Sequence, residues 1–152
     1  MKSTIELIAL VGLALGLFLI GYYWSILPDR VPSHYDLAGN VDHWASKSSL
    51  LLLPLISLIV FLGIHIAGHY PKIFNYPWKF APQSLPRQQE LAQIFLSSLK
   101  MEIVWLFSLL EYQTIRIALG KEKALGPGYM IIFIVIIFGT AAIYFVKSYR
   151  AR

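Results

Sequence analysis

The sequence has no cysteine and few charged residues. Because none of its 152 residues is a cysteine, disulfides, cysteine-ligated zinc, iron–sulfur centres and thiol catalysis are excluded. Only 14% of the residues are charged and 57% are hydrophobic, whereas soluble domains carry about 25% charged residues. With a mean hydropathy of +0.63, the composition predicts a single integral membrane domain over residues 1–152.

The motifs of common enzyme classes are also missing. The sequence contains no phosphate-binding loop, no HExxH zinc motif and no pattern of nucleophile and base. It is therefore interpreted as a non-enzyme without a cofactor. Its net charge of +5 comes from basic residues that stand at the ends of apolar runs rather than in a block. That placement favours anchoring at membrane lipid and argues against nucleic acid as a partner.

Four apolar runs are long enough to cross a bilayer as helices, which takes about 20 residues each. They cover residues 5–26, 50–69, 97–118 and 129–146. The predicted fold class is an all-α membrane protein with four transmembrane helices. A loop rich in proline and aromatic residues covers 70–90, and within it Ser84-Leu85-Pro86 predicts the start of a helix that continues to Leu119. Gly126-Pro127-Gly128 predicts a turn before the fourth span.

Lysine and arginine residues near the helix ends predict the orientation. One side collects Lys2, Lys72, Lys79, Arg87, Lys147, Arg150 and Arg152, and the other collects Arg30, Lys47, Arg116, Lys121 and Lys123. Cytoplasmic loops carry the excess of positive residues. Both termini and the 70–90 loop are therefore predicted to be cytosolic, and the 27–49 loop to lie outside.

The most polar stretch of the chain, LPDRVPSHYDLAGNVDHWASK at residues 27–47, follows the first span. Proline at 28 stops the helix, and proline at 32 favours an extended conformation before it. Asp36-Leu37-Ala38-Gly39 fits a type I turn between two short extended runs. The sequence thus predicts a β-hairpin-like loop, in which alternation places His34 with Asp36 on one face and Asp42 with Trp44 on one face.

Side chains of this loop are the candidate partner-binding residues: His34, Asp36, Asp42 and Trp44. Others are predicted to fix its shape: Pro28, Pro32, Gly39 and Lys47. Because the first set combines hydrogen-bonding groups with a flat apolar ring, the predicted partner is a protein or peptide. Lys47 is expected to pair with Asp42 or Asp29. A metal site made of His34, Asp36, Asp42 and His43 is less favoured, because these residues follow no strict ligand spacing.

The same stretch resembles the signature of a bacterial membrane domain of unknown function, the sixteen-forty-eight family, which occurs alone and at the N-terminus of SdpI-type immunity proteins. The matching pattern is Leu27-Pro28-Asp29-Arg30, Val31-Pro32-x-His34, Gly39, Asp42 and Lys47. The resemblance implies a multi-pass protein of the bacterial plasma membrane with an immunity or signalling role. The second half of the longer immunity proteins, with its additional helices, has no counterpart in the 152 residues.

The third span carries ionisable residues that are costly in a bilayer, namely Lys100, Glu102 and Glu111. Lys100 and Glu111 are eleven residues apart and share a helix face, while Glu102 lies on roughly the opposite face. Such a helix needs polar neighbours on two sides. Lys100, Glu102 and Arg116 are expected to snorkel toward water, which leaves Glu111 as the main candidate for a function within the membrane.

Two shorter spacings also indicate helix contacts. His65 and His69 are four residues apart and share a face. That spacing can hold a metal or haem, but the two histidines are interpreted as polar residues at the cytosolic boundary. Gly12 and Gly16 form a GxxxG pattern, which predicts close packing of the first span against another helix, preferably of the same chain.

Three functions are compatible with these observations. The first is a membrane module whose outer loop recognises a partner. The second is an accessory subunit of a larger membrane protein complex. The third is a small transporter or membrane enzyme that uses Glu111 and the His/Asp loop. Copurification in mild detergent separates the first two, because only a subunit comes with a stoichiometric complex.

Overall fold

The structure is a computed structural model that describes residues 2–71, 74–126 and 128–152. These residues form four helices and one two-stranded antiparallel sheet. The helices are α1 (Lys2–Tyr23), α2 (Leu52–Ala67), α3 (Leu85–Ala118) and α4 (Tyr129–Arg150), and the strands are β1 (Arg30–Tyr35) and β2 (Val41–Ser46). All four helices are long and apolar enough to cross a membrane. The predicted fold class is thereby confirmed, including the hairpin between the first two helices.

The helix bounds differ from the predicted spans by a few residues. A 3-10 turn, Lys47–Leu51, leads into α2, and a second, Pro82–Ser84, leads into α3. Helix α3 begins at Leu85 as predicted and ends at Ala118, whereas α4 extends past residue 146 to Arg150. Lys72, which contributes to the predicted orientation, and Pro127, in the predicted turn before α4, lie outside the described residues.

Helix α3 is the centre of the bundle, because it contacts each of the other three helices. Contacts between α1 and α3 advance in the same direction along both helices: Lys2 lies beside Gln93, and Gly12 lies beside Ser108. Helices α1 and α3 are therefore parallel. Both run from the end of the bundle near the chain termini to the end near the hairpin. We call these the terminal end and the hairpin end.

Most of the buried apolar residues form two clusters, one between α1, α3 and the hairpin and one between α1, α2 and α3. The cluster at the hairpin end contains Leu19, Ile20, Leu27, Val31, Leu50 and Ile115. The second contains Ala9, Leu13, Phe61 and Val104. In α4, by contrast, only Ser148 is buried among the described side chains. Its apolar surface faces outward, as expected for a helix in contact with lipid.

The GxxxG pattern packs α1 against α3. A Cβ at Gly12 would lie 2.9 Å from Nε1 of Trp105, and a Cβ at Gly16 would lie 3.1 Å from Oγ of Ser108. This close approach lets α3 side chains reach the α1 backbone: Trp105 Nε1 donates to the carbonyl of Ile8 at 3.0 Å, and Ser108 Oγ to that of Gly12 at 2.7 Å. The prediction that the pattern serves contact within one chain is confirmed.

Candidate functional site

The hairpin turn forms where the sequence predicts it. The amide of Gly39 donates to the carbonyl of Asp36 at 2.9 Å, and Gly39 has φ +85°, a conformation that penalises a Cβ. The Asp36 carboxylate accepts hydrogen bonds from the backbone and the side chain of Asn40, at 2.8 and 3.0 Å. The side-chain bond, followed by the backbone bond, lowers the pKa of Asp36 below its usual value. Asp36 is exposed, and its hydrogen bonds with Asn40 hold the turn in place.

Strand pairing is irregular around His34. The register pairs Pro32 with Trp44 and His34 with His43, which leaves Ser33 opposite no residue, and it shifts again before Tyr35. Such bulges re-aim side chains, so simple alternation does not hold here. His34 is brought to Asp42, with 2.7 Å between His34 Nδ1 and Asp42 Oδ1.

Three of the four candidate partner-binding residues are exposed on the paired strands of the hairpin, and two of them, His34 and Asp42, are in contact. The His34 and Asp42 side chains are 70% and 45% exposed, and the Trp44 residue is 40% exposed. The guanidinium of Arg30 donates to the carbonyl of Trp44 at 2.9 Å, across the two strands. We call His34, Asp42 and Trp44 the outer hairpin face. The contact between His34 and Asp42 joins two exposed side chains, so it orients them more than it stabilises the fold.

The predicted ion pair of Lys47 was wrong. Within the described residues, Lys47 makes no salt bridge to Asp42 or to Asp29. Its Nζ instead lies 5.2 Å from the centroid of the Trp24 ring, in cation–π geometry. The two ends of the hairpin are instead joined by a backbone hydrogen bond, which the Lys47 amide donates to the carbonyl of Asp29 at 2.9 Å.

The inner side of the hairpin is fixed to the helix bundle. Val31 is fully buried, and the hydroxyl of Tyr35 lies 2.7 Å from Oγ1 of Thr114 in α3. Burial raises the pKa of Tyr35, so the phenol stays neutral at physiological pH. At the tip, the Leu125 amide donates to the carbonyl of Gly39 at 2.8 Å. The hairpin is therefore docked on both α3 and the α3–α4 connection.

A cavity of about 510 Å³ lies under the hairpin, between it and helices α2, α3 and α4. Its lining is mostly aliphatic, including Leu53, Ile56 and Leu110, and His34 and Asp36 border it on the hairpin side. A largely apolar cavity bordered by exposed polar side chains suits a ligand that carries both apolar and polar groups.

Toward the terminal end, α1, α2 and α3 meet at a buried ion pair. Lys100, which is 1% exposed, contacts Oε2 of Glu6 at 2.5 Å. Ser97 donates to the other carboxylate oxygen at 2.9 Å, His65 Nδ1 lies 3.4 Å from Glu6 Oε2, and the Phe61 ring centroid lies 4.6 Å from Lys100 Nζ. The expectation that Lys100 snorkels to water was wrong, because a carboxylate on the neighbouring helix binds it inside the bundle.

Glu6 was missed by the sequence analysis, although a signal was present. It is the single charged side chain between Lys2 and the end of α1. An ionisable residue in a membrane span requires a polar partner, and Lys100 is the lysine that the third span offers.

His65 and His69 share a helix face as predicted, with ring centroids 4.8 Å apart. His69 Nδ1 donates to the carbonyl of His65 at 2.8 Å, while the His65 ring stacks on Phe61. Across the described ranges, no group of three or more His, Asp or Glu side chains is arranged to hold a metal ion.

Glu102 and Glu111, the two glutamates in the membrane-spanning part of α3, face different helices, as their spacing predicts. Glu111 is 1% exposed and borders Gly16, whose added Cβ would lie 3.0 Å from Glu111 Oε2. Glu102 is 8% exposed and accepts a hydrogen bond from Thr140 in α4. Snorkelling of Glu102 was therefore also predicted wrongly. Glu111 Oε1 and Glu102 Oε2 have no hydrogen-bond partner among the described residues.

Comparison with known proteins finds two similarities, each over about a third of the chain. A family model described as Domain of unknown function (DUF1648) matches residues 9–58, from α1 through the hairpin into α2. An uncharacterized protein of Archaeoglobus fulgidus is 32% identical over 62 residues, which are 36% of this chain and 34% of the relative. The chain thus aligns with about a third of that relative's length. No solved structure matches the chain.

Proposed function

We propose that this chain is a non-enzymatic module of a bacterial plasma membrane, of the SdpI-like type, whose hairpin recognises a protein or peptide partner outside the cell in an immunity or signalling role. The observation that carries the proposal is the contrast between the two sides of the hairpin. Its inner side is anchored through Val31 and Tyr35, and the outer hairpin face is exposed.

Anchoring favours recognition because a preorganised surface loses little conformational entropy when it binds. The outer hairpin face offers a ring, an imidazole and a carboxylate. Tryptophan is enriched at the centres of protein interfaces, and the Asp42 carboxylate favours a partner with a basic or hydrogen-bond-donating group. An apolar side chain of the same partner fits the cavity of about 510 Å³ under the hairpin.

Photo-cross-linking from the hairpin tests recognition. A photoreactive phenylalanine analogue at position 44 should give one discrete adduct in cells, and the same analogue at Lys121, exposed at the same end, should not. Asp42→Asn should reduce the adduct, while Glu122→Gln should leave it unchanged. An adduct that is absent, or equally strong in the Asp42→Asn variant, contradicts recognition by this face.

The orientation is a separate part of the proposal. It is supported by the excess of lysine and arginine on the side of the termini. Because the chain has no cysteine, single cysteines report directly on topology. Ser33→Cys should react with an impermeant maleimide on intact cells, and Ser84→Cys should not. The reverse result would place the hairpin in the cytosol and exclude an extracellular partner.

A small transporter is the second candidate, favoured by the buried position of Glu111. Its carboxylate lies beside Gly16, between α1 and α3, and Thr114 and Tyr35 continue the polar residues toward the hairpin end. If Glu111 serves transport or assembly in a complex, Glu111→Gln should impair function while expression stays near normal. Full activity of that variant contradicts this candidate.

A further inference from the structure

The positive charge of the chain is concentrated at the terminal end of the bundle. The basic side chains that the structure describes there are Lys2, Lys79, Arg87, Lys147, Arg150 and Arg152. Among the described residues at that end, Glu90 is the one acidic side chain besides Glu6, which is paired with Lys100. At the hairpin end, by contrast, five basic side chains are offset by four acidic ones, namely Asp29, Asp36, Asp42 and Glu122. The terminal end is therefore the surface that attracts anionic groups.

A cleft of about 280 Å³ opens at the terminal end between α1, α3 and α4. Its charged lining residues are Arg87 and Glu90, in the first two turns of α3, and Lys147, in the last turn of α4. Further from the helix ends, the lining is largely apolar and includes Leu91, Ile94, Phe95 and Ile143. The cleft is thus charged at its outer end and apolar toward the middle of the bundle.

The apolar part of the cleft leads toward a larger cavity of about 530 Å³, which the same three helices line. The lining of the larger cavity begins one turn further along each helix: Ile8 after Ile5 in α1, Met101 after Ser98 in α3, and Ile136 before Thr140 in α4. This lining is apolar or aromatic apart from Glu102, whose carboxylate accepts a hydrogen bond from Thr140. We call the cleft and the cavity together the α4 groove.

We infer that the α4 groove binds one anionic phospholipid, with its phosphate at Arg87 and Lys147 and an acyl chain along the apolar lining. Lys147 is exposed and forms no salt bridge within the part of the chain that the structure describes. Arg87 contacts Glu90 through Nη1, and a guanidinium has five N–H donors, so others remain for a phosphate. The inference is independent of the hairpin and of its partner.

The arrangement of charge and apolar surface favours a lipid over two other occupants. A soluble phosphate satisfies the basic side chains but leaves the apolar lining empty. A zwitterionic phospholipid fills the lining, but its ammonium group reduces the attraction to Arg87 and Lys147. Glu90 also lies at the charged end of the groove and repels a phosphate, so removal of its charge should strengthen the binding of an anionic lipid.

Native mass spectrometry of the full-length protein in detergent tests the inference, with phosphatidylglycerol and phosphatidylcholine that carry identical palmitoyl and oleoyl chains. The first phosphatidylglycerol should bind with the lower Kd. Lys147→Gln should raise that Kd about fivefold, the effect of one basic group near an anionic lipid surface, and should leave the Kd for phosphatidylcholine unchanged. Glu90→Gln should lower the Kd for phosphatidylglycerol, and excess glycerol phosphate should not displace the lipid.

The matched control is Lys123→Gln, which removes an exposed basic group at the hairpin end and should leave both Kd values unchanged. Ile136→Trp, which fills part of the apolar lining, should raise both. The inference is overturned by equal Kd values for the two lipids in the wild type, by equal effects of Lys147→Gln and Lys123→Gln, by displacement with glycerol phosphate, or by unchanged binding in Ile136→Trp. Retention of the wild-type elution volume in size-exclusion chromatography separates loss of binding from loss of fold.

Discussion

Helix α3 has two interfaces that differ in how they are closed. Against α1, small residues bring the backbones together, and Trp105 and Ser108 donate to α1 carbonyls. Against α4, contacts are concentrated at separate points: Gln88 exchanges hydrogen bonds with Ser148, Glu102 accepts from Thr140, and Tyr129 donates to a carbonyl. The cavity of about 530 Å³ opens where α4 meets the α1–α3 pair.

Both interfaces contain buried polar side chains. In the α1–α3 interface, most polar side chains find a partner in the protein, and Lys100 has the carboxylate of Glu6. Each interface also holds one buried carboxylate oxygen without a hydrogen-bond partner among the described residues, Glu111 Oε1 on the α1 side and Glu102 Oε2 on the α4 side. Because packing in membranes relies on close van der Waals contact and interhelical hydrogen bonds, we expect the α1–α3 pair to carry the stability of the bundle.

The largest expected effect comes from breaking the ion pair from its acidic side. Glu6→Gln leaves the Lys100 ammonium, which is 1% exposed, without a counter-charge, and should destabilise the protein by about 3 kcal/mol. Lys100→Met should cost less, because Glu6 is 21% exposed and keeps Ser97. Unfolding in a titration with sodium dodecyl sulfate measures both. Equal costs for the two variants would contradict the asymmetry of the site.

The next effect concerns close contact of α1 with α3. Gly12→Val places side-chain atoms against Trp105, whose Nε1 would be 2.9 Å from the new Cβ, and overpacking of this kind costs about 1–3 kcal/mol. Gly21→Val, in the same helix, is the control, because nothing lies within 4 Å of its added Cβ. If both variants unfold at the wild-type detergent concentration, α1 does not pack on α3 through Gly12.

A smaller effect is expected at the hairpin tip. Gly39 and Gly120 both have positive φ, +85° and +70°, so alanine is strained at either position by about 1 kcal/mol. Gly39→Ala also brings a Cβ to 3.2 Å from Leu125, whereas nothing lies within 4 Å of a Cβ at Gly120. Gly39→Ala should therefore speed hydrogen exchange at the Leu125 amide more than Gly120→Ala does. Equal exchange would mean that the tip is not docked.

The smallest effect is on pH dependence. Hydrogen bonds from Asn40 lower the pKa of Asp36, so the ionised form is favoured in the folded hairpin. The resulting stabilisation is present above the unfolded pKa of about 3.8 and is lost as pH falls through the lower, folded pKa. Hydrogen exchange at the Asn40 amide should accelerate relative to neighbouring amides below about pH 4, and Asp36→Asn should remove that step. If the Asp36→Asn variant shows the same acceleration at the Asn40 amide, a group other than Asp36 causes it.

The sequence was sufficient to predict the elements of the fold, because their signals are local. Apolar run lengths define the four helices, and Asp36 with Gly39 defines the turn. The GxxxG contact and the two polar faces of α3 also follow from helical periodicity. The candidate site was less predictable: the bulges that bring His34 to Asp42 depend on the register between strands, and periodicity within one strand carries no information on register.

Pairing between helices was the other feature beyond local reasoning. Lys100 was expected to reach water because its partner, Glu6, lies 94 positions earlier in the chain. Lys47 was expected to bind Asp42 or Asp29. Its actual neighbour, the Trp24 ring, could not be predicted, because the position of that ring depends on where α1 ends relative to the hairpin. For both lysines, the tertiary structure brings a partner close that is not apparent from the sequence around the lysine.

A single disulfide experiment tests the closed α1–α3 interface most directly. The Cβ of a residue at 16 would lie 3.8 Å from the Cβ of Ser108, a separation typical of disulfides, and the chain has no cysteine of its own. The Gly16→Cys/Ser108→Cys variant should therefore lose both thiols on mild oxidation in membranes, while Gly21→Cys/Ser108→Cys retains them. Retention of both thiols in the first variant would contradict the parallel, closely packed α1–α3 pair on which the account depends.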